Sequence, residues 1–274
     1  MSHKKTRRID PLTLALPSGG ADSHAHLDGT EFDADREEVL RRAKAAGLDR
    51  IGNVFLGPED FTLRKSMFDG HPEVFFLLGI HPCDGMKCTR QSLAEMRAAF
   101  AAAPRLRAVG EIGLDYHWKN CPKDLQIKAF VSQLAMAREL GMPVALHCRE
   151  AEDETLCILE SRGFQGYPLL WHCFAGGPAL ADRILGNGWH ISVPGPVTYA
   201  ANEELRKTVA RIPADRLLLE TDCPYLPPLP WRGSRNEPAF TVFTAHALAL
   251  ARGASPEEVW RTCGDNARRF FGLF

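Results

Sequence analysis

The chain has 274 residues, 45% of them hydrophobic, enough to bury a large core. Its 33 basic and 34 acidic side chains leave a formal net charge of −1, so no global basic field announces a polyanion, and nucleic acid would have to be met by a local patch or by metal ions. No apolar run approaches the roughly 18 residues of a membrane span, and eight scattered cysteines without a Cys-x-x-Cys pair read as reduced thiols in a cytoplasmic protein.

The chain opens with a basic stretch, His3-Lys4-Lys5-Thr6-Arg7-Arg8, and a short apolar one, Pro11 to Leu16, too short for a signal segment. Residues 1–20 read as a flexible N-terminal extension, with a weak phosphate-binding role open to it. From Ala21 onward short apolar runs alternate with amphipathic segments. Strands are predicted over 20–25, 50–56, 74–80, 106–112, 143–147, 168–172, 189–193 and 216–221. The runs 50–56 and 74–80 are almost continuously apolar, as strands covered on both faces should be. Helical spacing appears over 33–46, 92–102, 124–140, 151–162, 177–187, 202–211 and 238–251. Strands alternating with helices suggest an α/β fold, a closed TIM (β/α)8 barrel occupying residues 21–274 as one domain. An extra C-terminal helix follows over 255–270, capped by Ser255 with Pro256 in its first turn.

Barrel enzymes build their sites at the C-terminal ends of the strands. Strand one ends in His24 and His26, which share a side of the strand because they are two residues apart. Strand three runs into His81, strand four into Glu111 and Asp115, strand five into His147, strand six into His172 and strand eight into Asp222. One histidine at a strand end is usually a rim residue; six strand ends in eight carrying metal-competent side chains form a pattern. Imidazole and carboxylate suit Zn²⁺ or Mn²⁺, with Mg²⁺ where carboxylate and water dominate. One open catalytic ion needs about three protein ligands. Two divalent metal ions roughly 3.5–4 Å apart would use His24, His26, Glu111, His147, His172 and Asp222 together. Glu111, in the middle of the strand order, is the expected bridge.

Asp22-Ser-His-Ala-His-Leu27, Gly79-Ile-His-Pro82, Gly110-Glu-Ile-Gly-Leu-Asp-Tyr116, Leu146-His-Cys-Arg149, His172-Cys-Phe174, Glu220-Thr-Asp-Cys-Pro-Tyr225 and Arg235-Asn-Glu-Pro238 form an ordered series. It resembles the motif series of TatD-family metal-dependent hydrolases, over about residues 21–271. The resemblance implies an amidohydrolase-type TIM barrel, a divalent-metal site and deoxyribonuclease activity on DNA, single-stranded or at its ends. Carried over, the family's ligands fall on His24, His26, Glu111, His147, His172 and Asp222. The chain departs from the pattern in its N-terminal extension, in the segment Cys83 to Cys88 and in the loop Leu226 to Ser234.

On this reading Asp222 and Glu111 are the catalytic carboxylates, Asp222 accepting a proton from the attacking water. His81, Arg149 and Arg235 are candidates for substrate phosphate, and Asp115 for orienting a ligand. Tyr116, His117 and Trp118 read first as lid packing and second as a platform for an unpaired base. Cys148, Cys173 and Cys223 each follow a proposed ligand and should face the helix layer. The alternatives are hydrolysis of carbonyl esters or amides, such as aminoacyl-tRNA deacylation, and a metal-bound scaffold without turnover. No obligate protein partner is evident. No lysine follows a predicted strand, and Glu111 takes the place where many relatives in the wider superfamily bridge the ions with a modified lysine.

Overall fold

A computed structural model describes residues 8–274. Eight strands, β1 (Gly20–Ala25), β2 (Leu48–Phe55), β3 (Val74–Leu78), β4 (Leu106–Asp115), β5 (Val144–Arg149), β6 (Leu169–Trp171), β7 (His190–Val193) and β8 (Leu217–Leu219), form one sheet in sequence order, every pair parallel. The sheet is brought round to its start beyond the last strand: Asp222 N–H donates to His24 C=O at 2.9 Å and His26 N–H to Cys223 C=O at 2.8 Å. The closing seam therefore runs through the residues expected to hold metal.

The helices are α1 (Arg36–Ala45), α2 (Pro58–Arg64), α3 (Arg90–Ala102), α4 (Lys123–Leu140), α5 (Glu152–Ser161), α6 (Pro178–Gly186), α7 (Glu203–Arg211), α8 (Thr241–Arg252) and α9 (Pro256–Phe271). Their starts and stops follow local chemistry. Gly141 ends α4 in the left-handed region (φ 64°), and the Ser255 hydroxyl accepts from Glu258 N–H at the start of α9. Two elements differ from the sequence reading. Helix α2 was not anticipated: it has seven residues and buries only Phe61, too little for a periodic signal. Strand β4 runs on to Asp115 rather than stopping at 112, because Gly113, Leu114 and Asp115 pair with His147, Cys148 and Arg149 of β5. That extension needs Gly113: it sits at φ 148°, and a Cβ there would lie 1.9 Å from the His147 carbonyl oxygen.

The core has two layers. A large cluster lies between sheet and helices. A smaller one, with Ala21, Phe75, Leu77, Ala145, Leu170 and Leu218 from the strands, fills the barrel and is sealed by Phe270, Phe271 and Leu273 from α9 and the residues after it. Helix α9 is thus a plug, pinned by Asn266 Nδ2, which donates to the Ala214 and Leu217 carbonyls at 2.7 Å each.

The flexible extension expected over 1–20 falls partly on residues 1–7, outside the described residues. The rest is seated on the barrel. Leu16 is buried and its N–H donates to Ala46 C=O, Trp231 Nε1 donates to Ile9 C=O, and Trp260 Nε1 donates to Pro17 C=O at 2.9 Å. The Trp260 ring occupies the space a Cβ on Gly20 would need, 2.0 Å from its nearest atom. Trp260→Ala should therefore cost about 3–5 kcal/mol, the loss of a large buried ring plus the cavity it leaves, read as a lowered urea midpoint. A loss near zero would mean that α9 and the extension do not hold the barrel together.

Candidate metal centre

Of the six side chains named from sequence, four histidines converge on Glu111 and Asp222 faces two of them. Its Oε2 lies 3.4 Å from His24 Nε2 and 3.8 Å from His26 Nε2. Its Oε1 lies 2.6 Å from His147 Nδ1 and 2.7 Å from His172 Nε2. Asp222 Oδ1 faces the first pair, 3.4 Å from His26 Nε2 and 3.8 Å from His24 Nε2. One carboxylate thus addresses two histidine pairs, one oxygen to each. The His24 and His172 rings stack at 3.9 Å between centroids and join the two halves. Groups with metal-ligand spacing include His24, His26 and Glu111; Glu111, His147 and His172; and His24, His172 and Asp222.

The backbone is shaped to allow this. A Cβ at Gly79 would lie 2.7 Å from Glu111 C=O, so only glycine lets β3 pass so close to β4. Asp222 sits at φ 56°, an uncommon conformation for a non-glycine residue, held by the seam bonds on both sides of it.

The electrostatics follow from burial against charge. Burial favours the neutral form of Glu111, but the His172, His147 and His81 imidazoles outweigh it and hold the carboxyl well below its usual range. Burial likewise opposes ionisation of Asp222, and the His26 bond with the charges of His24 and His26 brings it down. For His172 burial opposes the proton while Glu111 and Glu220 attract it, leaving it raised well above the ordinary value. His26 is lifted to about 8 by Asp222 and Glu111 against burial. His24 is pushed down by burial and by His172.

The cluster fits a divalent cation on one structural observation. Both ring nitrogens of the fully buried His24, and Nδ1 of His172, have no hydrogen-bond partner among the described residues. Unsatisfied buried groups cost about 1–3 kcal/mol each, and they sit here among carboxylates that already call for positive charge. A cation bound by imidazole and carboxylate satisfies both demands.

Around the cluster lies a supporting layer. Asp115 Oδ2 is 2.9 Å from His147 Nε2, while its Oδ1 accepts from His117 N–H and Trp118 N–H at 3.0 Å each. His81 is 3.8 Å from Glu111 and half-buried, with its pKa pushed down to about 4 by desolvation, so it is a neutral neighbour of the cluster. Arg149 stands exposed at the end of β5, its guanidinium 5.8 Å from the Trp118 ring. Arg235, expected at substrate phosphate, instead forms a two-pronged ion pair with Asp35 at 2.7 Å and donates to Glu31 C=O. Its fork is occupied in tying the loop after β8 to the loop after β1. Cys223 and Cys148 pack in the helix layer as expected. Cys173 does not follow them. At φ 51° it turns in beside the site, where burial, then Asp222 and Glu220, keep its thiol protonated.

Sequence reasoning missed several supports. Glu220 accepts from Ser192 Oγ and lies 3.6 Å from His172 Nδ1. Asp22, its pKa raised to about 8 by burial, accepts from the Thr221 hydroxyl and ties β1 to β8. Gln126 brackets Asp115, accepting from its N–H and donating to its C=O at 2.8 Å each; Gln133 does the same for Ile80, just before His81. These two glutamines lie seven residues apart on the buried face of α4, a polar interruption that a helical wheel would have exposed.

A family model described as TatD related DNase matches residues 21–272. The chain belongs to this family. Among curated relatives, the uncharacterized metal-dependent hydrolase YabD of Bacillus subtilis is 36% identical over 252 residues, covering 92% of this chain and 98% of its own. The 3′-5′ ssDNA/RNA exonuclease TatD of Rahnella sp. is 36% identical over 254 residues, covering 90% and 96%. The crystal structure of YjjV, a TatD homolog from Escherichia coli K12, superposes with a TM-score of 0.86 at 28% identity, covering 93% of this chain and 98% of its own. As a TatD-family member the chain is a metal-dependent hydrolase on a TIM barrel, and no helix among the described residues is long and apolar enough to cross a membrane.

Adding Zn²⁺ or Mn²⁺ to metal-free TatD-family protein should raise its melting temperature, since an ion held only by the folded state stabilises it by about 2.7 kcal/mol at a hundred times its Kd. Glu111→Ala should abolish most of that shift in differential scanning calorimetry. An undiminished shift in the variant would remove Glu111 from the centre.

Proposed function

We propose that the chain hydrolyses phosphodiester bonds of DNA, acting on single strands or ends, with two divalent ions held by His24, His26, Glu111, His147, His172 and Asp222. The observation that carries the reading is the division of Glu111, one oxygen toward His24 and His26 and the other toward His147 and His172. Relatives described as ssDNA/RNA exonucleases support the substrate class. Eight free cysteines agree with a reducing, cytoplasmic setting.

Bound ions would polarise the phosphate and lower the pKa of water from 15.7 toward about 7. The chain's own groups do the rest. His24, His172 and Glu111 are buried and hold their positions without water competing. The Asp222 side chain is 16% exposed, so its carboxylate meets incoming water, and its lowered pKa keeps it ionised to take the proton at Oδ. His81 is neutral and lies at the rim, where its ring can donate to a phosphate oxygen. Asp115 holds His147 in place.

Asp222→Asn keeps the shape and removes the base. It should lower kcat about 10²–10⁴-fold while part of the bound metal survives, read by single-turnover assay beside metal analysis; unchanged turnover would exclude Asp222 as the base. Purified, metal-loaded protein should cleave a single-stranded oligonucleotide and a small phosphodiester and leave a D-aminoacyl-tRNA intact. Cleavage of the aminoacyl ester alone would replace the nuclease reading with a deacylase one.

A further inference from the structure

We propose that Trp118 and Tyr225 form an aromatic clamp across the barrel mouth, stacking unpaired nucleobases and holding a strand end over the Glu111 cluster. This rests on the phosphodiesterase reading above and adds to it the residues that select unpaired substrate.

Trp118 is 52% exposed and Tyr225 58%; apart from the C-terminal Phe274, no other Phe, Tyr or Trp among the described residues is as exposed. Both lie on the face that carries the cluster, Trp118 just past β4 and Tyr225 just past β8. In an eight-stranded barrel of sequential order these strands stand four apart, on opposite sides of the opening.

Each ring is tied to the cluster by its own backbone. Tyr225 N–H donates to Asp222 C=O at 3.0 Å, Asn236 Nδ2 donates to Tyr225 C=O at 2.7 Å, and the Tyr225 ring meets His26 edge-on at 6.2 Å. Trp118 N–H donates to the same Asp115 carboxylate that faces His147. The rings are therefore placed relative to the reacting centre, not left on loose loops.

Lid packing does not account for Trp118. That role belongs to Tyr116, which is buried, donates its hydroxyl to Glu154 at 2.6 Å and lies under the Lys123 ammonium. Among the described residues the aromatic and cationic neighbours of Trp118 are the His117 ring, edge-on at 4.9 Å, and the Arg149 guanidinium at 5.8 Å. An indole beside an exposed cation, at the edge of the proposed phosphate site, is the arrangement that holds a base and its phosphate together. Every base has a π-face, so such a clamp tolerates any sequence. Bases inside a duplex keep their faces covered, so it requires unpaired nucleotides. Stacking is common to deoxy- and ribonucleotides, and the clamp does not choose between them.

The test uses the Mn²⁺-loaded full chain, a labelled single-stranded dT oligonucleotide, the same oligonucleotide with abasic residues at both ends, and methyl 4-nitrophenyl phosphate. Trp118→Ala should raise KM for the dT oligonucleotide about tenfold, and Tyr225→Leu should act in the same direction. Trp118→Phe should restore most of the loss. Wild type should lose a similar factor on the abasic oligonucleotide, while Trp118→Ala should treat the two oligonucleotides alike. Thermal melts confirm that each variant is folded. Equal KM for wild type and Trp118→Ala, or an abasic penalty undiminished in the variant, overturns the clamp. Wild type that cleaves the small diester but no oligonucleotide also overturns it and leaves the phosphodiesterase reading standing. Wild type that cleaves no phosphodiester overturns both.

Discussion

One carboxylate organises this molecule. Glu111 is buried, and a buried charge is tolerated only when opposite charge and hydrogen bonds surround it. Its compensation comes from imidazoles on or just beyond β1, β5 and β6, with His81 beyond β3 at its edge. Those groups are up to 148 residues apart in sequence, as far as His24 is from His172. They meet because every strand points the same way and the sheet closes. The barrel gives the charge its partners, and His24, His26 and Asp222 of the cluster take part in the seam at which the barrel closes.

The support for that arrangement is polar, buried and local. Asp22, Glu220, Gln126, Gln133 and Asn236 each hold a strand end or the loop beyond it, and none reaches the mouth of the site. Buried polar side chains are costly unless fully bonded, and satisfied ones fix geometry. Gln126 and Gln133 show the method: each side-chain amide completes both backbone groups of one residue at the point where a strand gives way to a functional loop. Asp115 couples two neighbours through one carboxylate, His147 on one oxygen and the Trp118 loop on the other.

Much of the fold was legible because parallel strands buried on both faces write themselves as apolar runs, and β3 is apolar at all five positions. The cluster was legible because each member follows such a run. What was not legible depended on partners remote in sequence. Arg235 looks like a free phosphate fork until the fold brings Asp35 to it. The extension looks loose until Ala46, Trp231 and Trp260 offer it hydrogen bonds. Strand β4 outruns its apolar pattern because pairing with β5 carries it past Gly113. Helix α2 is too short to declare a period.

The plug formed by α9 has a topological consequence for any polymer handled here. Phe75, Leu77, Leu170 and Leu218 fill the barrel below the cluster and Phe270, Phe271 and Leu273 stop its lower end, so the mouth above the cluster is a blind well. A chain cannot be pulled through it as thread through a ring. Whatever descends to the cluster must back out by the way it came, and each fragment released must pass the remaining strand at a shared doorway. A terminus, which can dip in and withdraw, suits such a vessel better than the middle of a long chain.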